Sequence, residues 1–469
     1  MPATTHRAHS PHLRDALAVA ELFIGVFRRD LAAFYPQCTT EPEQTEPTLV
    51  SAAAGPGFEL ILEPSGAVEG IAMFGVRHLI RDRAGERFSA ADARMIQAIG
   101  DVLTLRYHHL FLAGHASRLE LYRGGSEDHY IAAYVEPRTY AAPHTRPSRI
   151  ASTIQTLRMA ALSTYENHRV STGALLLGLD HPSEPPERPT PPDALPYGVE
   201  LTSLKSIHRL CDGKRTVFLV DREGNLAEII DIARWAEAAS ADEPPIPCSR
   251  DYIPHARATR VGGRVCLVLS PNQEIKLFAG GVQAFSFAHG RWRILDPTSK
   301  YAIWSEAVGD ERLARVLFQT ALDLSESRKG SLFVVADNPS RTVGRLLAPH
   351  DVLAVPAADG PPPDFHPGDP LAKRALHYLA RGRDVRDLSP AVLETLCSLD
   401  GALVTDRAGK LFAFGAILRH DPTALPTQIS AEGARTTAAL VASWYGSVLK
   451  ISEDGVVSCY LRGAKVWDL

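Results

Sequence analysis

Between Leu396 and Gly463 the hydrophobic period switches from two to 3.6 and back, which limits the fold of this chain more than any other feature. Residues 402–405 and 410–416 are apolar runs of strand length on either side of Asp406-Arg407-Ala408-Gly409, a turn by composition. They predict a hairpin with Asp400-Gly401 at its mouth. Ala438, Leu440, Val441 and Trp444 fall at helical spacing, so residues 433–445 read as a helix stopped by Gly446. Residues 447–452 and 456–461 then form a second strand pair around Glu453-Asp454-Gly455. Hairpins and helices in this order give an α/β (α+β) class, with a carboxy-terminal mixed sheet flanked by helices.

The loops of this stretch carry its chemistry. The first helical turn holds Arg435, Thr436 and Thr437. A helix start presents unpaired N–H groups and the positive end of the dipole, so an adjacent guanidinium and two hydroxyls complete an anion site, most simply for phosphate. The turn at Glu453-Asp454 brings two more carboxylates, and carboxylates beside a phosphate site suggest a metal. Taken singly, Asp-Gly is a common turn, an arginine is usually solvated, and Ser452–Gly455 is a good hairpin turn. Their combination is the informative signal.

Asp400-Gly401-Ala402, the helix-opening Gly433-Ala434-Arg435 and the loop Ser452-Glu453-x-Gly455 resemble the diadenylate cyclase domain, the nucleotide-binding domain of DNA integrity scanning proteins. The resemblance reaches upstream to a helix at 313–324 and a strand at 330–336 and covers roughly the last third of the chain. It implies two ATP-loaded domains that face each other with Mg²⁺ or Mn²⁺ and condense the nucleotides into cyclic di-AMP. It also implies roles: Asp400 binds metal and helps activate the attacking 3′-hydroxyl, Arg435 holds phosphate, and Glu453 places metal. Gly401, Ala402, Leu418, Gly433, Ala434, Thr436, Thr437 and Ser452 would lie along the nucleotide. Where the family reads Gly-Thr-Arg-His-Arg, this chain reads Gly433-Ala434-Arg435-Thr436-Thr437, and replacement cations could come from Arg419, His420 or Lys450. Two other outcomes therefore stay open: a degenerate module that senses ATP or a cyclic dinucleotide, and a cyclase with another nucleotide choice.

At 469 residues, about three domains are expected at ~150 residues each. Apolar and charged fractions of 45% and 22% are those of an ordinary globular protein. The formal net charge of −4 supplies no general attraction to nucleic acid or anionic membrane, so anion binding must be local. Six scattered cysteines without a C-x-x-C pair fit reduced, packed thiols and a cytoplasmic protein. No apolar run approaches the ~20 residues of a membrane span; 174–179 is typical.

The first 13 residues read as a tail. An amino-terminal α+β domain is expected over 14–180, with a helix from Leu17 to Phe34, strands at 58–62 and 67–74, and a helix at 89–107. Its closing helix resembles the end of a small-ligand sensor domain of the GAF kind. His108, His109, His115 and His129 match no metal-ligand spacing. Residues 181–197 hold seven prolines in HPSEPPERPTPPDALP and read as a linker. A β-meander with a helix over 198–305 resembles the sensor domains that precede cyclase domains; its ligand is unknown. The last domain spans 306–469, with a proline-rich loop at 354–369 and helices at 371–379 and 390–397. TVFLVDREGNLAEI in the middle region matches ALVTDRAGKLFAF in the last, read as a shared hairpin solution rather than a duplication.

Overall fold

The computed structural model describes residues 11–43, 52, 54–82, 88–111, 119–122, 124–141, 148–179, 193–203, 206–239, 242–353, 380, 382–419 and 433–469. The expected tail at 1–10, the loop at 354–369 and the helix at 371–379 lie outside them, as does His420. The fold is mixed α+β, in two compact units: 1–241 with 254–295, and 242–253 with 296–469.

In the amino-terminal unit the helix Pro11–Phe34 starts inside the expected tail. It shares a core with the helix Ala90–Phe111 and a four-stranded antiparallel sheet, in which Phe27, Leu31, Ile71, Met95, Ile99 and Val102 are buried. The strands are β1 (Cys38–Pro42), β2 (Glu59–Leu62), β3 (Val68–Met73) and β4 (Val76–Asp82), ordered β1-β4-β3-β2. A short pair, β5 (Thr164–Tyr165) and β6 (His168–Arg169), precedes the main sheet.

That sheet has seven strands: β7 (Thr172–Leu176), β8 (Thr216–Val220), β9 (Leu226–Asp231), β10 (Val265–Leu269), β11 (Ile275–Ala279), β12 (Val282–Ala288) and β13 (Arg291–Ile294). Their order is β13-β12-β11-β10-β7-β8-β9. This corrects the expected boundary at 181–197. The stretch connects β7 to its parallel neighbour β8, so the residues on either side of it complete one sheet rather than two domains. Proline forbids helix and central strand where it stands, but it does not stop the flanking strands from pairing.

The carboxy-terminal unit is built on β14 (Ser331–Ala336), β15 (Ala402–Asp406), β16 (Leu411–Ala416), β17 (Gly446–Ile451), β18 (Val457–Leu461) and β19 (Ala464–Asp468), ordered β16-β15-β14-β17-β18-β19. β14 is parallel to β15 and antiparallel to β17, and it is buried along its whole length, as an apolar central strand requires. Leu332, Val334, Val404 and Val448 share one face and pack with Ala439 and Ala442 of the helix Ala434–Ala442. The helix Glu311–Glu326, capped by the Asp310 carboxylate on the Leu313 N–H at 2.7 Å, also packs on β14, β17 and β18.

The two large sheets share one topology, which corrects the view that only a hairpin is common to them. Read from the hairpin edge, the first six strands of one, β9-β8-β7-β10-β11-β12, match the six of the other, β16-β15-β14-β17-β18-β19, and β13 adds a seventh strand to the first. The single parallel pair is β7 with β8 in the first and β14 with β15 in the second. The hairpin turns agree in detail. Asp221 accepts from the Glu223 and Asn225 N–H groups at 3.0 and 2.7 Å, and Asp406 accepts from those of Ala408 and Lys410, both at 2.9 Å.

Candidate functional site

Three loops at one end of the carboxy-terminal sheet converge. The first follows the helix Pro390–Cys397 and enters β15 through Asp400-Gly401. Gly401 has φ +118, and a Cβ there would lie 2.4 Å from the Gly415 carbonyl carbon and 2.7 Å from the Ala416 nitrogen of β16. Only glycine lets the two strands approach this closely at that backbone angle. The tight entry leaves the preceding Asp400 side chain 88% exposed at the sheet's end.

The second loop is the start of the Ala434–Ala442 helix. Gly433 is its N-cap and offers no side chain, so its carbonyl accepts from the Thr436 N–H at 2.9 Å. Arg435 on this first turn points its guanidinium between two acids, 3.6 Å from Asp400 Oδ1 and 3.4 Å from Glu453 Oε1. Gly330 makes room for it: a Cβ there would lie 2.1 Å from an Arg435 terminal nitrogen.

The third loop is the β17–β18 turn, closed by the Gly455 N–H on the Ser452 carbonyl at 3.0 Å. Ser325 Oγ, near the end of the Glu311–Glu326 helix, donates to the Gly455 carbonyl at 2.6 Å and anchors the turn that carries Glu453 and Asp454. Lys450, two residues before the turn, donates from Nζ to Thr436 Oγ1 at 3.0 Å.

Together these residues line a cavity of about 590 Å³, within the usual range for a small-ligand site. Asp400, Gly401, Ala402, Leu418, Gly433, Ala434, Arg435, Thr436, Ser452 and Glu453 all line it. Thr437 does not, because one further residue rotates it about 100° around the helix from Thr436. Lys450 and Asp454 line it as well, whereas Arg419 does not. The lining mixes apolar side chains, among them Leu332, Leu418 and Ala438, with three carboxylates and two cations. The apolar part suits a flat ring, and Arg435 and Lys450 are the groups that could meet an anion. Among the described residues no group of three His, Cys, Asp or Glu side chains is placed to hold a metal by itself. Asp400 and Glu453 fit a hard cation only in the manner of Mg²⁺ sites, where one or two carboxylates share the ion with substrate phosphates.

No family model matches the chain, and no curated protein matches it. Among solved structures it is similar to a double mutant of DacA from Staphylococcus aureus, with 18% identity and a TM-score of 0.23 over 34% of this chain and 87% of that one. It is also similar to a hypothetical membrane spanning protein from Bacillus cereus, with 18% identity and a TM-score of 0.24 over 35% of this chain and 69% of that one. In the present chain no helix among the described residues is long and apolar enough to cross a membrane.

Proposed function

We propose that the carboxy-terminal unit is a diadenylate cyclase-like nucleotidyltransferase that joins two ATP into cyclic di-AMP and releases two pyrophosphates. The observation that carries the proposal is the Arg435 guanidinium set between Asp400 and Glu453 inside a cavity that apolar side chains also line. In this reading the adenine lies along Leu332 and Leu418, Arg435 takes the phosphates, and Asp400 lies beside the 3′-hydroxyl whose proton must leave. Asp400 and Glu453 would hold Mg²⁺ or Mn²⁺ together with the phosphates; the bound ion supplies neutralisation of phosphate charge. The protein's task is alignment and electrostatic complementarity, since phosphoryl transfer needs an in-line hydroxyl and stabilised equatorial oxygens. One cavity holds one nucleotide, so the reaction needs two chains face to face, and the amino-terminal unit, as a sensor of an unidentified ligand, would regulate that encounter.

A second reading is a sensor that binds ATP or a cyclic dinucleotide without turning it over. Thr436 and Thr437 favour it, since they replace two cationic side chains of the family motif. The full chain incubated with each of the four NTPs and Mn²⁺, read by mass spectrometry, separates the readings. A cyclic product that disappears in Asp400→Ala supports catalysis and its mass identifies the nucleotide. Binding without product supports the sensor, and no binding refutes both.

A further inference from the structure

We infer that Lys450 is the phosphate-gripping cation of this cavity, supplying the positive charge that Thr436 and Thr437 do not; the inference rests on the nucleotide reading above. Strand alternation decides where Lys450 points. It lies in register with Leu332 of β14 and two residues from Val448, so it occupies the face on which the Ala434–Ala442 helix packs. Its cross-strand neighbours there are Leu332 on β14 and Ser458 on β18, and Lys450 itself is half-buried, so its stem can lie along the apolar part of the face while its ammonium reaches the cavity. Its amine is held by the Thr436 hydroxyl at 3.0 Å, at the first turn of the helix and beside the cavity.

The charges of the cavity divide unequally between its two cations. Arg435 already faces Asp400 and Glu453. Lys450 has no carboxylate within 4.0 Å among the described residues, and its one described partner is a neutral hydroxyl. An incoming polyphosphate therefore meets one cation already engaged with acids and one with no acid beside it among the described residues. A compact ammonium with three rotatable donors suits a phosphate at this point.

The amino-terminal sheet gives an internal control. Aligning the two sheets through their registers places Leu269 with Ile451 and Ser270 with Ser452. The turns agree: the Ser270 and Ser452 N–H groups donate to the Glu274 and Val456 carbonyls at 2.8 and 2.9 Å. In this alignment Pro271 stands where Glu453 does, Arg215 where Asp400 does, and Val268 where Lys450 does. Val268 is 1% exposed, an ordinary core residue. The strand position accepts a valine where the acids are missing and carries a lysine where they are present, so the topology does not demand the lysine.

The test is calorimetric titration of the full chain, in Mn²⁺, with ATP, ADP, adenosine and inorganic pyrophosphate. Lys450→Met is expected to weaken ATP, ADP and pyrophosphate by about ten- to a hundredfold, the span of a charge-assisted hydrogen bond, and to leave adenosine unchanged. Lys450→Arg is expected to keep most of the affinity. If Lys450→Met lowers the melting temperature enough to confuse the measurement, Lys450→Gln gives the same comparison with a polar head. Equal ATP affinity in wild type and Lys450→Met, or equal losses for ATP and adenosine, overturns the inference and leaves the nucleotide reading standing. Pyrophosphate binding that depends on Lys450, without binding of ATP or adenosine, overturns the nucleotide reading alone. A wild-type chain that binds none of the four overturns both.

Discussion

Replacing Arg435 by methionine separates a structural from a functional role with one variant. The guanidinium is 33% exposed, and its contacts to Asp400 and Glu453 at 3.6 and 3.4 Å are longer than well-formed charged hydrogen bonds, with acids that are 88% and 73% exposed. Pairs of this kind contribute roughly 0–1 kcal/mol each. Methionine keeps an unbranched aliphatic stem and loses only these exposed ion pairs, so unfolding free energy should fall by no more than about 1–2 kcal/mol. That corresponds to a few degrees in melting temperature for a unit of this size. The ligand side is different. A guanidinium–phosphate hydrogen bond contributes about 1.5–3 kcal/mol, so nucleotide affinity should drop by about ten- to a hundredfold. The loss should be greater still because Asp400, Glu453 and Asp454 would then face the phosphates without it. Arg435→Lys retains the charge without the bidentate fork and should fall between the two. Chemical denaturation and nucleotide titration on the same preparations read both effects. A methionine variant that loses several kcal/mol of stability, or that binds nucleotide as the wild type does, refutes the argument.

Gly401→Ala should destabilise the carboxy-terminal unit by at least roughly 2 kcal/mol, because it combines a positive φ with a Cβ overlapping the backbone of β16. Denaturant unfolding measures it, and a neutral result would mean that the β15 entry is looser than described. Asp323, on the Glu311–Glu326 helix, gives a pH dependence. Burial pushes its carboxyl up to about 6, in spite of the Arg250 N–H at 2.7 Å, the Arg250 guanidinium at 2.9 Å and the Ser249 hydroxyl at 3.1 Å. A raised carboxyl favours the folded state when protonated, so its contribution is complete below about pH 4 and is lost as pH rises through 6, by about 3 kcal/mol at most. Asp323→Asn should flatten the stability profile between pH 4 and 7; an unchanged slope would assign the titration to another group.

What the sequence makes legible follows from how strongly each residue is bound by its own neighbours. Asp400-Gly401, the arginine at a helix start and the Ser452–Gly455 turn are local patterns, and the three loops they mark do converge on one cavity. Lys450 is legible only as one of three candidate cations, beside Arg419 and His420: in the run Ser447-Val448-Leu449-Lys450-Ile451 it interrupts an apolar strand, and nothing local singles it out from the other two. Its meaning depends on the register Leu332 to Lys450, which no local pattern encodes. β7 is similar. Thr172–Leu176 is buried at every position and lies at the centre of its sheet, yet a short, mostly apolar run before a proline-rich stretch carries no signal of its partners. The shared topology of the two sheets is the extreme case. Core strands need only be apolar and fit their neighbours, so their identities can drift without changing the order of pairing. Asp221 and Asp406 have no such freedom, since each carboxylate satisfies two backbone N–H groups of its own turn, and any residue that failed to do so would open the hairpin. The short match around those two aspartates is therefore where common architecture stays visible in sequence, and the rest of the likeness emerges only when strand order is compared.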